Sequence, residues 1–81
     1  MVNRTRSVAM VFRFAHFGNE ILAHRLELGL TQDAVGNLIG TTASTIGEYE
    51  RGKEPNPKMQ NFLALCNLYD IDPRGFFELE S

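Results

Sequence analysis

The sequence predicts an all-α fold, a compact domain of five helices preceded by an N-terminal extension. Three observations predict it. Apolar residues recur at helical spacing from Phe17 onward. Residues that cap helix starts stand directly before the runs: Thr31, Thr42, and the pairs Asn56-Pro57 and Asp72-Pro73, in which proline fills the first helical position. Gly29 and Gly40 stand where runs end, as residues that take a left-handed conformation without strain.

A chain of 81 residues builds one domain. At this size a single core supplies only about 3–5 kcal/mol, so self-association is a natural support. Hydrophobic content of 43% with 22% charged residues excludes a disordered chain. The single cysteine, Cys66, lies in the apolar run LALCNL and is expected to be a buried small residue. One cysteine allows neither an internal disulfide nor a cysteine-based zinc site. No apolar run approaches the ~20 residues of a membrane span. The N-terminus carries positive charge ahead of apolar residues, but Arg13 interrupts them, so targeting is rejected and a cytoplasmic protein is expected.

Residues 1–16 form the extension and residues 17–81 the helical domain. In the extension, Val8, Met10, Phe12 and Phe14 alternate with Ala9, Val11, Arg13 and Ala15, which predicts a strand. The competing readings are a helix running into the next one, since Met10, Phe14, Phe17 and Ile21 also keep helical spacing, and a disordered segment. A lone strand is unstable, so this one is expected to pair with the same strand of a second chain and dimerise it; the alternative is that its apolar residues simply cover the core of their own domain. Arg4 and Arg6 are read as a solvated tail, or else as a basic arm reaching DNA.

The first helix is predicted over Phe17–Leu28, with Ile21, Leu22, Arg25 and Leu28 toward one face and Gly29 ending it. His16 and His24 have no second ligand at metal spacing and are read as structural. The second helix follows Thr31, with Asp33 in its first turn and Val35, Leu38 and Ile39 as its apolar side. Gly36 in its interior costs up to about 1 kcal/mol relative to alanine, which makes sense if the next helix crosses close by. Gly40 makes the turn and Thr42 caps the third helix, 42–50, with Ile46 and Tyr49 inward and Ala43, Ser44, Gly47 and Glu48 outward. The fourth helix is predicted over Pro57–Tyr69, with Phe62, Leu65, Cys66 and Tyr69 inward. The fifth runs from Pro73 to about Leu79, with Phe76 and Phe77 closing the core and a frayed acidic end.

Read in order, FGNEI, Arg25, GLTQ, IGTT, STIGEYERGK, Pro57, FLALC and IDPRGFF resemble the lambda-repressor-like (Cro/XRE-type) helix-turn-helix family over Phe17–Phe77. The resemblance implies five helices, with the second and third as a DNA-binding motif, and a homodimer on a palindromic operator. It implies that Gln32 contacts the DNA backbone. It sets Thr42, Ala43, Ser44, Thr45 and Glu48 on the helix that faces the major groove, and Arg51 and Lys53 in a loop close to phosphates. Arg25 and Glu50 match a structural ion pair between the first and third helices. Three positions depart from the pattern: Ala43, Glu48, and Gly47, which stands where a small polar residue is usual and is expected to loosen the reading helix. Many relatives carry glutamine or arginine at Ala43, and glutamine, lysine or arginine at Glu48. Here Ala43 offers only a methyl contact to thymine, and Glu48 accepts from a cytosine amino group or repels a phosphate.

The expected function is therefore a sequence-specific transcriptional regulator, a repressor, that binds double-stranded DNA as a homodimer. The alternative is a protein-binding module on the same scaffold, such as an anti-repressor, an antitoxin-like partner or a modulator of another regulatory protein. The net charge of −2 motivates it, since DNA-binding domains usually carry excess lysine and arginine. No catalytic constellation, phosphate-cradling loop, metal site or cofactor site is legible, so no enzyme is expected.

Overall fold

The computed structural model describes residues 9–79. The chain runs β1 (Met10–Phe12), α1 (Phe14–Glu27), α2 (Gln32–Ile39), α3 (Ala43–Glu50), α4 (Met59–Tyr69), a 3-10 helix (Pro73–Phe76) and β2 (Phe77–Leu79). Among the described residues there are four α-helices, not five. The predicted fifth helix makes a single 3-10 turn, because Asp72 Oδ1 caps the Arg74 N–H (2.9 Å) and Phe77 is already extended. Extended backbone at 77–79 has a better use: it pairs antiparallel with β1, with Met10 opposite Leu79, Val11 opposite Glu78 and Phe12 opposite Phe77.

The strand predicted in the extension thus exists, but its partner lies in its own chain. An exposed ion pair from Arg13 Nε to Glu78 Oε1 (3.1 Å) and a bond from the Arg13 N–H to the Phe76 carbonyl (2.7 Å) extend the pairing. The helix α1 begins at Phe14, three residues before the predicted Phe17. Arg4, Arg6 and the acidic end at Glu80 lie outside the described residues.

The helix starts follow local chemistry. Thr31 Oγ1 accepts from the Ala34 N–H (3.0 Å) and Thr42 Oγ1 from the Thr45 N–H (3.1 Å). Asn56 does not cap α4 as predicted. Its N–H is bound by Glu54 Oε2 (2.9 Å), so the chain turns upstream and α4 starts two residues later, at Met59.

The core gathers Phe17, Ile21, Val35, Ile46, Tyr49, Phe62, Leu65, Cys66, Tyr69 and Phe76. An aromatic cluster forms its base. Phe17 meets Phe62 (centroids 5.0 Å apart) and, edge-on, Phe76 (5.2 Å), and Phe12 reaches Phe62 from the hairpin (5.4 Å). The hairpin therefore clips both ends of the domain onto α1 and α4. Two residues expected inward are not: Leu28 is 56% exposed and Leu38 62% exposed. Leu28 lies beyond the last turn of α1. Val35 and Ile39 carry the inner side of α2, leaving Leu38 outside it.

Cys66 is buried, and that burial pushes its thiol up to about 11. At pH 8 a folded chain should therefore resist thiol-specific reagents. Labelling should accelerate by orders of magnitude across the urea transition, as the unfolded thiol titrates normally near 8.5. Rapid stoichiometric labelling without denaturant would contradict the packing.

Candidate nucleic-acid interface

The turn between α2 and α3 is fixed by a glycine pair. Gly40 takes φ 81°, and the Thr41 N–H reaches back to the Gly36 carbonyl (2.8 Å). A Cβ on Gly36 would lie 2.9 Å from the Thr42 carbonyl carbon and 3.0 Å from the Thr41 oxygen. The close crossing inferred from the sequence is thus real, and it sets the angle at which α3 leaves the turn.

On its inner side α3 buries Ile46 and Tyr49, and the Tyr49 hydroxyl accepts from Asn61 Nδ2 of α4 (3.1 Å). Its C-terminal end is tied by Glu50. Arg25 Nε donates to Glu50 Oε2 (2.6 Å) and Nη2 to Oε1 (3.0 Å), a two-pronged pair between α1 and α3. The third nitrogen, Nη1, donates to the Leu30 carbonyl (2.8 Å), and Gln32 Nε2 donates to Glu50 Oε1 (3.0 Å). One carboxylate thus joins three helices. Its hydrogen bonds hold the Arg25 guanidinium charged, raising its pKa above the ordinary arginine value.

On its outer side Thr42, Ser44 and Glu48 are exposed, and Ala43 and Thr45 are half-buried. Thr42 Oγ1 donates to Thr45 Oγ1 (3.1 Å), so these hydroxyls form one polar unit at the helix start. Glu48 and Thr45 border a polar groove of about 330 Å³, closed by Thr41, Glu54, Asn56, Lys58 and Asn61. Gly47 differs from its expected outward position: it is buried, covered by Arg51 and Gln32.

The charges divide sharply. Among the described residues, Arg13, Arg25 and Arg74 are each paired with a carboxylate. Arg51, Lys53 and Lys58 form no ion pair among the described residues; Arg51 and Lys53 follow α3, and Lys58 stands just before α4. Pairing removes equal numbers of both signs and leaves the net charge at −2; among the described residues Glu27, Asp33, Glu48, Glu54 and Asp70 likewise form no ion pair. Lys58, Glu54 and Asn56 were not legible as site residues, since the loop that gathers them beside α3 shows no regular spacing. No group of three or more histidine, cysteine or carboxylate side chains among the described residues could hold a metal ion. No helix among them is long and apolar enough to cross a membrane.

Comparison with known proteins agrees with this architecture. The helix-turn-helix family model matches residues 21–76. The structure of the P22 c2 repressor in complex with a synthetic operator is similar at 32% identity and a TM-score of 0.65, covering 70% of this chain and 85% of that one. The restriction-modification controller protein C.AhdI from Aeromonas hydrophila is similar at 33% identity and a TM-score of 0.66, covering 78% and 94%. A search of curated proteins gave no match. With capped helices meeting at Gly40, an outward α3, and a family match over most of the described domain, the chain belongs to the Cro/XRE-type helix-turn-helix family of DNA-binding transcription regulators.

Proposed function

We propose that the chain is a sequence-specific repressor that binds double-stranded DNA as a homodimer and reads the major groove with α3. The observation that carries this reading is that α3 buries Ile46 and Tyr49 and turns Thr42, Ser44 and Glu48 outward, with Arg51 and Lys53, which form no ion pair among the described residues, just after it. Gln32, Arg51 and Lys53 would hold phosphates and position α3, while Thr42, Ala43, Ser44, Thr45 and Glu48 would meet base edges. The operator complex of the similar P22 repressor supports the same use of the fold. Few cations are available to displace counterions, so affinity should fall with salt along a shallow slope. A dimer is supported by the small core and by the apolar Met10 and Leu79, which the hairpin leaves 55% and 68% exposed.

Selection of bound duplexes from a random pool tests the reading. The expected result is enrichment of two half-sites about one helical turn apart. If no duplex is retained at low salt, DNA binding is wrong. A monomer by sedimentation at high concentration, without DNA, would remove the dimer.

A second reading, a protein-binding module, is favoured by one observation: Glu48 and Glu54 share the groove beside α3. Glu48→Gln separates the two. For a DNA reader it should change base preference or shift affinity by about 1–3 kcal/mol, the scale of one base contact. If DNA binding is unmoved while a protein complex weakens, the second reading replaces the first.

A further inference from the structure

Arg51 and Gln32 converge on a point where α3 has no side chain. Built onto Gly47, a Cβ would stand 3.1 Å from Arg51 Nη1, 3.4 Å from Gln32 Oε1 and 3.5 Å from Gln32 Nε2. Arg51 follows Gly47 by one helical turn, and its N–H donates to the Gly47 carbonyl (3.0 Å), so its side chain starts on the same face of the helix. The guanidinium therefore lies back along α3 instead of extending into the loop. It rests beside a carboxamide that is itself fixed: Gln32 Nε2 gives one hydrogen to Glu50, which Arg25 holds. The second hydrogen of that amide and the unpaired guanidinium form adjacent donors at the junction of α2 and α3.

We propose that Gly47 is a positioning residue, a slot whose missing side chain lets Arg51 lie beside Gln32, so that the two together clasp one DNA phosphate at the edge of α3. This rests on the DNA-binding reading above. It also gives a reason for a glycine inside a helix that loses helix propensity by having one. The slot supplies α3 with a positive charge that its own residues, Ala43 to Glu50, do not carry.

The consequence is an opposition between stability and binding. The obstacle to a methyl on Gly47 is the far end of a flexible arginine, with backbone φ in the ordinary helical range, so the fold accepts alanine. Gly47→Ala should raise Tm by about 2–6 °C through helix propensity. It should also weaken binding to a mixed-sequence duplex at low salt about tenfold, the loss of one charge-assisted hydrogen bond. The slope of log K against log salt should become shallower by about one. Arg51→Ala should reproduce the binding loss without raising Tm, and adding Gly47→Ala to it should cost no further affinity. A Gly47→Ala chain that binds with wild-type affinity and slope overturns the slot, as does a full second loss in the Arg51→Ala background. If the wild-type chain retains no duplex, the DNA-binding reading falls first and the slot with it.

Discussion

Glu50→Ala is expected to remove about 3–5 kcal/mol of folding free energy, the cost of leaving one member of a buried ion pair without the other. The glutamate side chain is 3% exposed and its arginine partner 11% exposed, so the pair lies largely out of water. Glu50 accepts three hydrogen bonds, two from Arg25 and one from Gln32. Its removal strands a guanidinium that still holds the Leu30 carbonyl and frees the first side chain of α2. A domain of this length has roughly 4–12 kcal/mol in total, so the variant should be partly or wholly unfolded at 37 °C. Urea denaturation gives the comparison, and Arg25→Ala should fall in the same range. The double variant Arg25→Met, Glu50→Leu should recover most of the loss, because well-packed apolar side chains can replace a buried pair at little cost. A loss below about 1 kcal/mol for Glu50→Ala would mean that the pair behaves as if at the surface.

The helical frame was legible because its signals are local. Thr31 and Thr42 bind amides three residues ahead, and Gly40 needs only its own φ; none of this depends on a distant partner. What sequence could not settle was decided by distant contacts. Alternation suggested a strand at 8–15, but only the folded ends bring Phe77–Leu79 alongside it, and that pairing also ended the predicted fifth helix after one turn. The apolar spacing of α2 admitted Leu38 to the inner face, yet packing uses Val35 and Ile39 and leaves Leu38 in water. Around the site, helical spacing separated inward Ile46 and Tyr49 from outward Ser44 and Glu48. It misplaced Gly47 for a physical reason: a glycine has no side chain by which to judge a face, and its cover comes from Gln32 on another helix and Arg51 one turn on. Gly18 carried a signal that went unused. Like Gly36, it is a glycine kept inside a helix where the backbone of another helix crosses close by.

Gly18→Ala should be the most damaging of the glycine substitutions, costing about 3 kcal/mol or more although alanine is the better helix former. A Cβ there would fall within contact distance of the Tyr49 carbonyl oxygen, and 3.0 Å and 3.2 Å from the carbonyl oxygen and carbon of Glu50. These are backbone atoms of α3 and cannot swing aside, so α1 and α3 would have to separate. Separation loosens Phe17 from Tyr49, whose rings are 6.4 Å apart, and draws Arg25 away from Glu50, because both contacts bridge the same two helices. The outer face of α3 would then move with the helix, and DNA affinity should fall along with stability. Gly75→Ala is the control, since a Cβ there meets nothing within 4 Å and its φ is not positive; its Tm should stay within about 2 °C of wild type. Three identical substitutions thus carry three expected outcomes: destabilised at Gly18, unchanged at Gly75, and stabilised but weaker-binding at Gly47. Helix propensity alone predicts a gain at Gly18 as well, so a rise in Tm for that variant would show that α1 and α3 do not approach as closely as the backbone of Tyr49 and Glu50 requires.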